Sequence, residues 1–183
     1  MANGVIVESR IQATNIDALN RTAQCESDVA GGGLISLEES KTQGNDVWTA
    51  TAPDSGTLGG LWIAYNPAEH LTKVGDKFFA GLSTDPRDYV NVADRPFDCF
   101  KPQVGDEIDI TEDCVDSSVS SAVAGDILES KAGQTTFQRV AKATGATAGS
   151  TAFRIEYVGT TPFPQAGIGM EQVKMFRCVC VQA

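Results

Sequence analysis

Three stretches of the chain repeat one piece of grammar: Val74-Gly75-Asp76, Val104-Gly105-Asp106, and Ala124-Gly125-Asp126 directly after Val123. Glycine tolerates a positive φ and aspartate bonds its own neighbouring backbone, so each pair makes a tight turn and launches an extended segment. A chain punctuated in this way is committed to short strands. The best helical pattern is brief: Ile16, Leu19 and Ala23, at spacings of three and four, predict a helix over 15–24.

Strand patterns are more frequent. Val5, Val7, Ser9, Ile11 and Ala13 alternate with Ile6, Glu8, Arg10 and Gln12, which predicts an opening strand. Leu34 to Leu37 and the Thr-rich Val47 to Ala52 predict two more. Leu61-Trp62-Ile63-Ala64-Tyr65 is continuously apolar and reads as a strand buried on both faces. Lys77 to Leu82 is expected to be extended. Glu107-Ile108-Asp109-Ile110-Thr111 alternates acid with isoleucine, the pattern of a half-buried strand. Thr136 to Ala143 and Ala152 to Val158 are expected to pair as a hairpin, with Phe153, Ile155 and Tyr157 on one face. Pro162-Phe163-Pro164 and Gly167-Ile168-Gly169 read as an irregular connection before a final strand, Val173 to Val181. Ser83 to Lys101 is loop-rich because closely spaced prolines forbid a long helix. The fold class expected is mainly β: a single compact β-barrel or β-sandwich domain with a short extended N-terminal segment and few helices. Residues 1–45 read as a strand and arm region with Gly31-Gly32-Gly33 as a flexible joint. Residues 46–183 read as the main β domain.

Bulk composition excludes several classes. With 183 residues, 42% hydrophobic and 21% charged, the chain has material for a real core. A formal net charge of −10 argues against direct nucleic-acid binding and against an anionic membrane surface. The start has no basic n-region and no long apolar run, so the expectation is a protein made and kept in a cytoplasm. Five cysteines (Cys25, Cys99, Cys114, Cys178 and Cys180) form no C-x-x-C, and Cys178 and Cys180 share one face of a strand. Reduced, buried thiols are expected.

No catalytic motif stands out, and no catalytic, cofactor or metal residue is assigned. His70 is the one histidine. A Cys99–His70 pair lacks any local signature, and a zinc site lacks ligand spacing. The acids Asp106, Glu107, Asp109, Glu112, Asp113 and Asp116 lack the EF-hand order, so they read as a solvated strand face rather than a calcium loop. Trp48 and Trp62 are candidates for a sugar-binding face, with Trp62 placed in a core run. Arg87 and Arg95 flank Tyr89 among acids. They read either as a subunit contact, since Arg and Tyr are favoured anchors, or as a local salt-bridged loop.

The run Leu61-Trp62-Ile63-Ala64-Tyr65-Asn66-Pro67, the run Ala80 to Tyr89, and the run Arg95-Pro96-Phe97-Asp98-Cys99-Phe100-Lys101-Pro102-Gln103-Val104-Gly105-Asp106 resemble head auxiliary, or decoration, proteins of tailed-phage virions. Gly125-Asp126-Ile127-Leu128 and the Phe137–Val158 segment are similar in style. The resemblance covers the middle and last thirds of the chain. It implies a structural protein on the capsid surface of a virion, assembled in the host cytoplasm and bridging neighbouring capsid subunits. It further implies the major capsid protein as partner, self-association with a trimer plausible by analogy, no cofactor and no active site. Val5, Ile6 and Val7 are then candidates for strand addition to a neighbour, as is Val179-Cys180-Val181, with pairing inside one subunit as the alternative. A tail-tube, head–tail connector or fibre-base protein is the alternative within a virion, and a surface carbohydrate-binding module the alternative outside that class.

Overall fold

Gly105 and Gly125 take the left-handed turn conformation, with φ of 96° and 94°, and each is followed by a strand that flanks one long hairpin. In the computed structural model the described residues are 3–41, 46–68, 71–74, 77–80, 83–116, 119, 121–164 and 169–183. Gly75, Asp76 and His70 lie outside them. The strands are β1 (Ile6–Arg10), β2 (Asn20–Cys25), β3 (Leu34–Lys41), β4 (Val47–Thr51), β5 (Trp62–Ala64), β6 (Leu71–Val74), β7 (Lys77–Ala80), β8 (Phe97–Phe100), β9 (Glu107–Thr111), β10 (Ile127–Lys131), β11 (Gln134–Val140), β12 (Ala152–Pro164) and β13 (Met170–Gln182). β2-β4-β3-β5-β8 close into a barrel, and β1-β9-β13-β12-β10-β11 form an open sheet. β6 and β7 pair as a separate hairpin, with Val74 opposite Lys77 across the first Gly-Asp pair. The protein is mainly β, as its turns and alternating patterns predict.

Alternation explains how barrel and sheet join. On β5, Ile63 faces a core shared with the sheet residues Ile108, Phe153 and Phe176, together with Leu61 just before the strand. Ala64 and Trp62 face the barrel interior with Ala23, Ile35, Ala50 and Cys99. The apolar run at 61–65 is therefore buried on both faces, as expected of such a run. β3 divides in the same way, Leu34 toward the sheet and Ile35 into the barrel.

Several expectations are corrected. The helix expected over 15–24 is a three-residue 3-10 turn, Asp17–Leu19, followed by β2. Pairing of β2 with β4 and β8 outweighs a marginal local propensity. Residues 1–45 do not stand apart as an arm: β1 joins the sheet through β9, and β2 and β3 are barrel staves. Gly31, Gly32 and Gly33 are buried and tightly packed rather than a flexible joint. A Cβ on Gly32 would collide with Ile6, one on Gly31 with Asn66, and one on Gly33 would come within 2.7 Å of Val29. Across this junction Asn66 mimics a strand, accepting from the Ile6 N–H at 2.9 Å and donating to the Ile6 carbonyl at 2.6 Å.

β9 is buried on both faces, not half-buried, because it lies between β1 and β13 and its outer acid, Asp109, is only 5% exposed. Arg177 covers it with two bonds of 2.9 and 3.0 Å. β11 and β12 do not pair, because β10 lies between them. Tyr157 does not share the face of Phe153 and Ile155. A bulge between Ile155 and Tyr157 shifts the register against β13 and turns Tyr157 outward, leaving it 63% exposed. Pro162-Phe163-Pro164 is the end of β12 rather than a loop. It pairs with residues 170–172, and among the described residues no strand pairs with its other edge, where a missing N–H is tolerated.

Candidate functional site

Two places gather chemistry from distant parts of the sequence: a buried charge cluster at Arg87 and a groove on the barrel.

Asp85 caps the 3-10 turn Pro86–Asp88 by accepting from the Arg87 backbone N–H at 2.9 Å. The same carboxylate holds the Arg87 side chain in a fork, Nε to Oδ1 at 3.1 Å and Nη2 to Oδ2 at 2.7 Å. Nη2 also reaches Glu171 Oε2 on β13 at 2.5 Å, and the guanidinium lies 5.3 Å from the centre of the Phe163 ring on β12. The Arg87 carbonyl accepts from the backbone and side-chain nitrogens of Asn3 at 2.8 and 2.9 Å. One residue thus fastens the start of the chain, the loop before β8 and both strands of the long hairpin. Burial opposes ionisation of Asp85, but the Arg87 bonds outweigh it and hold the carboxyl below its ordinary value. Burial pushes neighbouring Asp113 up, with Arg87 opposing and Glu112, Glu171 and Asp85 adding to the rise.

The residues singled out in the sequence fall into two groups. Val5, Ile6, Arg87 and Tyr89 are 5%, 1%, 6% and 1% exposed, so the subunit itself consumes them. The Tyr89 hydroxyl donates to the Ser83 carbonyl at 2.6 Å and accepts from the Ser83 N–H at 2.7 Å. Val7 is exposed and Arg95 half-buried. On the C-terminal strand, Cys180 is buried and Val179 and Val181 are half-buried, with Val179 paired to Glu107 inside the sheet.

Two of the six acids expected to form a solvated face are spent inside the fold, and the other four are half-buried. Asp106 and Asp109 are buried, and Asp106 accepts from the Gln12 and Gln103 N–H groups at 3.0 and 2.8 Å. Among the described residues no group of three or more His, Cys, Asp or Glu side chains is placed to hold a metal ion. All five cysteines are buried and unpaired with one another. Burial pushes the thiols of Cys99, Cys114 and Cys180 up to about 12 and that of Cys178 well above its ordinary value.

The groove, about 860 Å³, lies where β2 and β8 pair and where β4 begins. Trp48, Tyr65 and Phe97 supply rings, Arg21 and Arg95 positive charge, and Asp46 and Asp98 negative charge. Tyr65 is fixed by its hydroxyl, which donates to Asn20 Oδ1 at 2.9 Å, and by contact with Phe100, ring centres 4.9 Å apart. Burial and the charges of Glu8 and Asp98 raise the Tyr65 phenol to about 12, so the ring is neutral and keeps its proton. Thr22 donates to Asp98 Oδ1 at 3.0 Å across the β2–β8 pair. Sequence reading found Trp48 and Arg95 but missed Tyr65, Asp46 and Asp98, whose only signal is polarity beside apolar strand residues.

Comparison with protein-family models, with curated proteins and with solved structures finds no match for this chain.

Proposed function

We propose that this chain is a non-catalytic structural protein of a tailed-phage virion that decorates the capsid and stabilises it by bridging neighbouring capsid subunits. The observation that carries the reading is the outer part of the β12–β13 hairpin. Among the described residues, 160–164 and 170–174 pair only with each other within the sheet, because β10 and β9 end earlier along the two strands. Such a ribbon presents strand edges to a neighbouring chain, and main-chain pairing at an edge is a general means of joining subunits. Met170 at its tip and Tyr157 on the strand leading into it, each 63% exposed, add apolar contact area. The ribbon's outer end, at the Phe163–Glu171 pair, is braced by Arg87 and by the small core of Val5, Phe163 and Val173, so contacts made at the ribbon are transmitted to the body.

The buried ionisable groups support the same reading. Asp85, Arg87, Asp106, Asp109, Asp126 and Glu129 all hold internal hydrogen bonds. A protein with this bonding, bound across two capsid subunits, favours the assembled shell over its parts by mass action. The partner is the major capsid protein, and self-association would add contacts between copies.

The test is a sedimentation titration of purified protein against capsids lacking it, with bound copies counted per particle. Saturation at a number matching the repeating sites of the shell is expected. A count matching one vertex would replace this reading with a connector, tail-tube or fibre-base role. No binding would overturn it.

A further inference from the structure

We propose that the groove on the barrel is a binding site for a neutral oligosaccharide. The inference stands apart from the capsid reading, since it concerns the barrel and not the hairpin.

The groove volume of about 860 Å³ is in the range that takes a small ligand or several sugar rings. Its charges balance: Arg21 and Arg95 against Asp46 and Asp98, in a chain whose net charge is −10. A polyanion would meet the field of that net charge, and a polycation would meet two guanidinium groups. A neutral ligand meets neither obstacle. Sugars offer apolar C–H faces beside vicinal hydroxyl groups. The faces suit flat aromatic rings with a polar handle, here half-buried Trp48 and Tyr65. The hydroxyl pairs suit planar two-atom partners, a carboxylate as acceptor and a guanidinium as donor. Asp98 is exposed, and Thr22 already orients its carboxylate. Arg21 is held by its Nη1 bond to the Asn20 carbonyl at 2.7 Å and lies over the Trp62 ring. The Tyr65 ring is fixed by Asn20. These groups are therefore oriented before any ligand arrives, which reduces the ordering cost of binding.

The test is ligand-observed saturation-transfer NMR on the full chain, with cellohexaose, maltohexaose and chitohexaose as neutral probes and heparin hexasaccharide as the anionic one. Transfer to at least one neutral probe is expected, with affinity lowered about tenfold or more by Trp48→Ala and by Asp98→Ala. Asp98 is a surface residue, so its variant keeps the test valid should the Trp48 variant fold poorly. Both variants are expected to bind capsids as the parent does, which separates this site from the hairpin. No transfer to any neutral probe, transfer to heparin alone, or binding unchanged in both variants would overturn the proposal.

Discussion

Asp106 and Asp126 occupy equivalent positions on opposite sides of the β12–β13 hairpin. Each closes its own turn through Oδ2, onto the N–H of Gln103 at 2.8 Å and of Val123 at 3.1 Å. Each ties a distant backbone through Oδ1, onto the N–H of Gln12 and of Lys142, both at 3.0 Å. The main chain repeats the correspondence. Gly105 N–H and Asp106 carbonyl bond Cys180 on β13, and Gly125 N–H and Asp126 carbonyl bond Ile155 on β12, at 2.8–2.9 Å. Two copies of one turn thus clamp the two arms of the hairpin.

The two aspartates differ in one respect, and that separates their variants. Asp126 also receives Arg139 Nε at 2.7 Å, and this bond with the two backbone amides overcomes burial and holds its carboxyl below the ordinary value. Asp106→Ala leaves two amides unpaired and is expected to cost about 2 kcal/mol. Asp126→Ala leaves the same two kinds of amide and a partly buried guanidinium, so its cost is expected to be larger, about 3 kcal/mol. Urea unfolding of both variants, read as midpoint shifts at constant slope, checks the order.

The Arg87 cluster predicts a pH signature of two opposed parts. Asp85 has a lowered folded pKa, so its stabilisation is present above the ordinary value of 3.8 and is lost as pH falls through the lower folded value. Asp113 has a raised folded pKa. Between 3.8 and that higher value the folded state holds more protons than the unfolded one, so stability increases as pH falls through the window. Asp113→Asn is expected to remove this gain on mild acidification while leaving the steep loss at lower pH, in unfolding curves measured from pH 7 downward. Arg87→Met removes the partner of buried Asp85 and is expected to cost about 3 kcal/mol. Amide hydrogen exchange at Thr160, Thr161, Phe163 and residues 170–174 is expected to speed up in that variant more than exchange in the barrel.

What the sequence discloses and what it withholds follow from the range of the interactions. The Gly-Asp turns at Gly105 and Gly125, the doubly buried β5 and the shared face of Cys178 and Cys180 are written in neighbouring residues, and each is present in the fold. β8 is hidden because a four-residue strand set between Pro96 and Pro102 carries too short a pattern to outweigh the prolines. The Arg87 cluster is hidden because Glu171 lies 84 residues away. Tyr157 is misplaced by period-two reasoning because a bulge is one extra residue with no mark in the sequence. The groove shares that obscurity, since its rings and charges come from β2, β4, β8 and three loops.

The thiols are expected to be inert in the native protein. With the Cys99, Cys114 and Cys180 thiols at about 12, only about one molecule in 10⁴ carries the thiolate at pH 8 at each site, and burial blocks access besides. Iodoacetamide at pH 8 is expected to leave these three and Cys178 unmodified in the folded chain and to alkylate all five cysteines in urea. Rapid native labelling at Cys114 or Cys178, read by peptide mass, would contradict the packed core around β9 and β13.

The triglycine junction offers the sharpest test of how sheet and barrel are joined. Gly32 has φ of 76°, and a Cβ there would strike Ile6 and stand 3.0 Å from Cys114 Sγ. Gly133 has nearly the same φ, 73°, in the β10–β11 turn, but nothing lies within 4 Å of its would-be Cβ. Gly133→Ala therefore reports the left-handed backbone alone, about 1 kcal/mol. Gly32→Ala adds a collision between β1 and the segment leading into β3, where the core has no room to yield, and is expected to cost about 3 kcal/mol or more. The difference between the two, measured by thermal and urea unfolding, isolates the close approach of sheet and barrel from the conformational preference of glycine. Equal costs would mean that the junction has slack, and the shared core around Ile63 with the bonds from Asn66 to Ile6 would then hold sheet and barrel together.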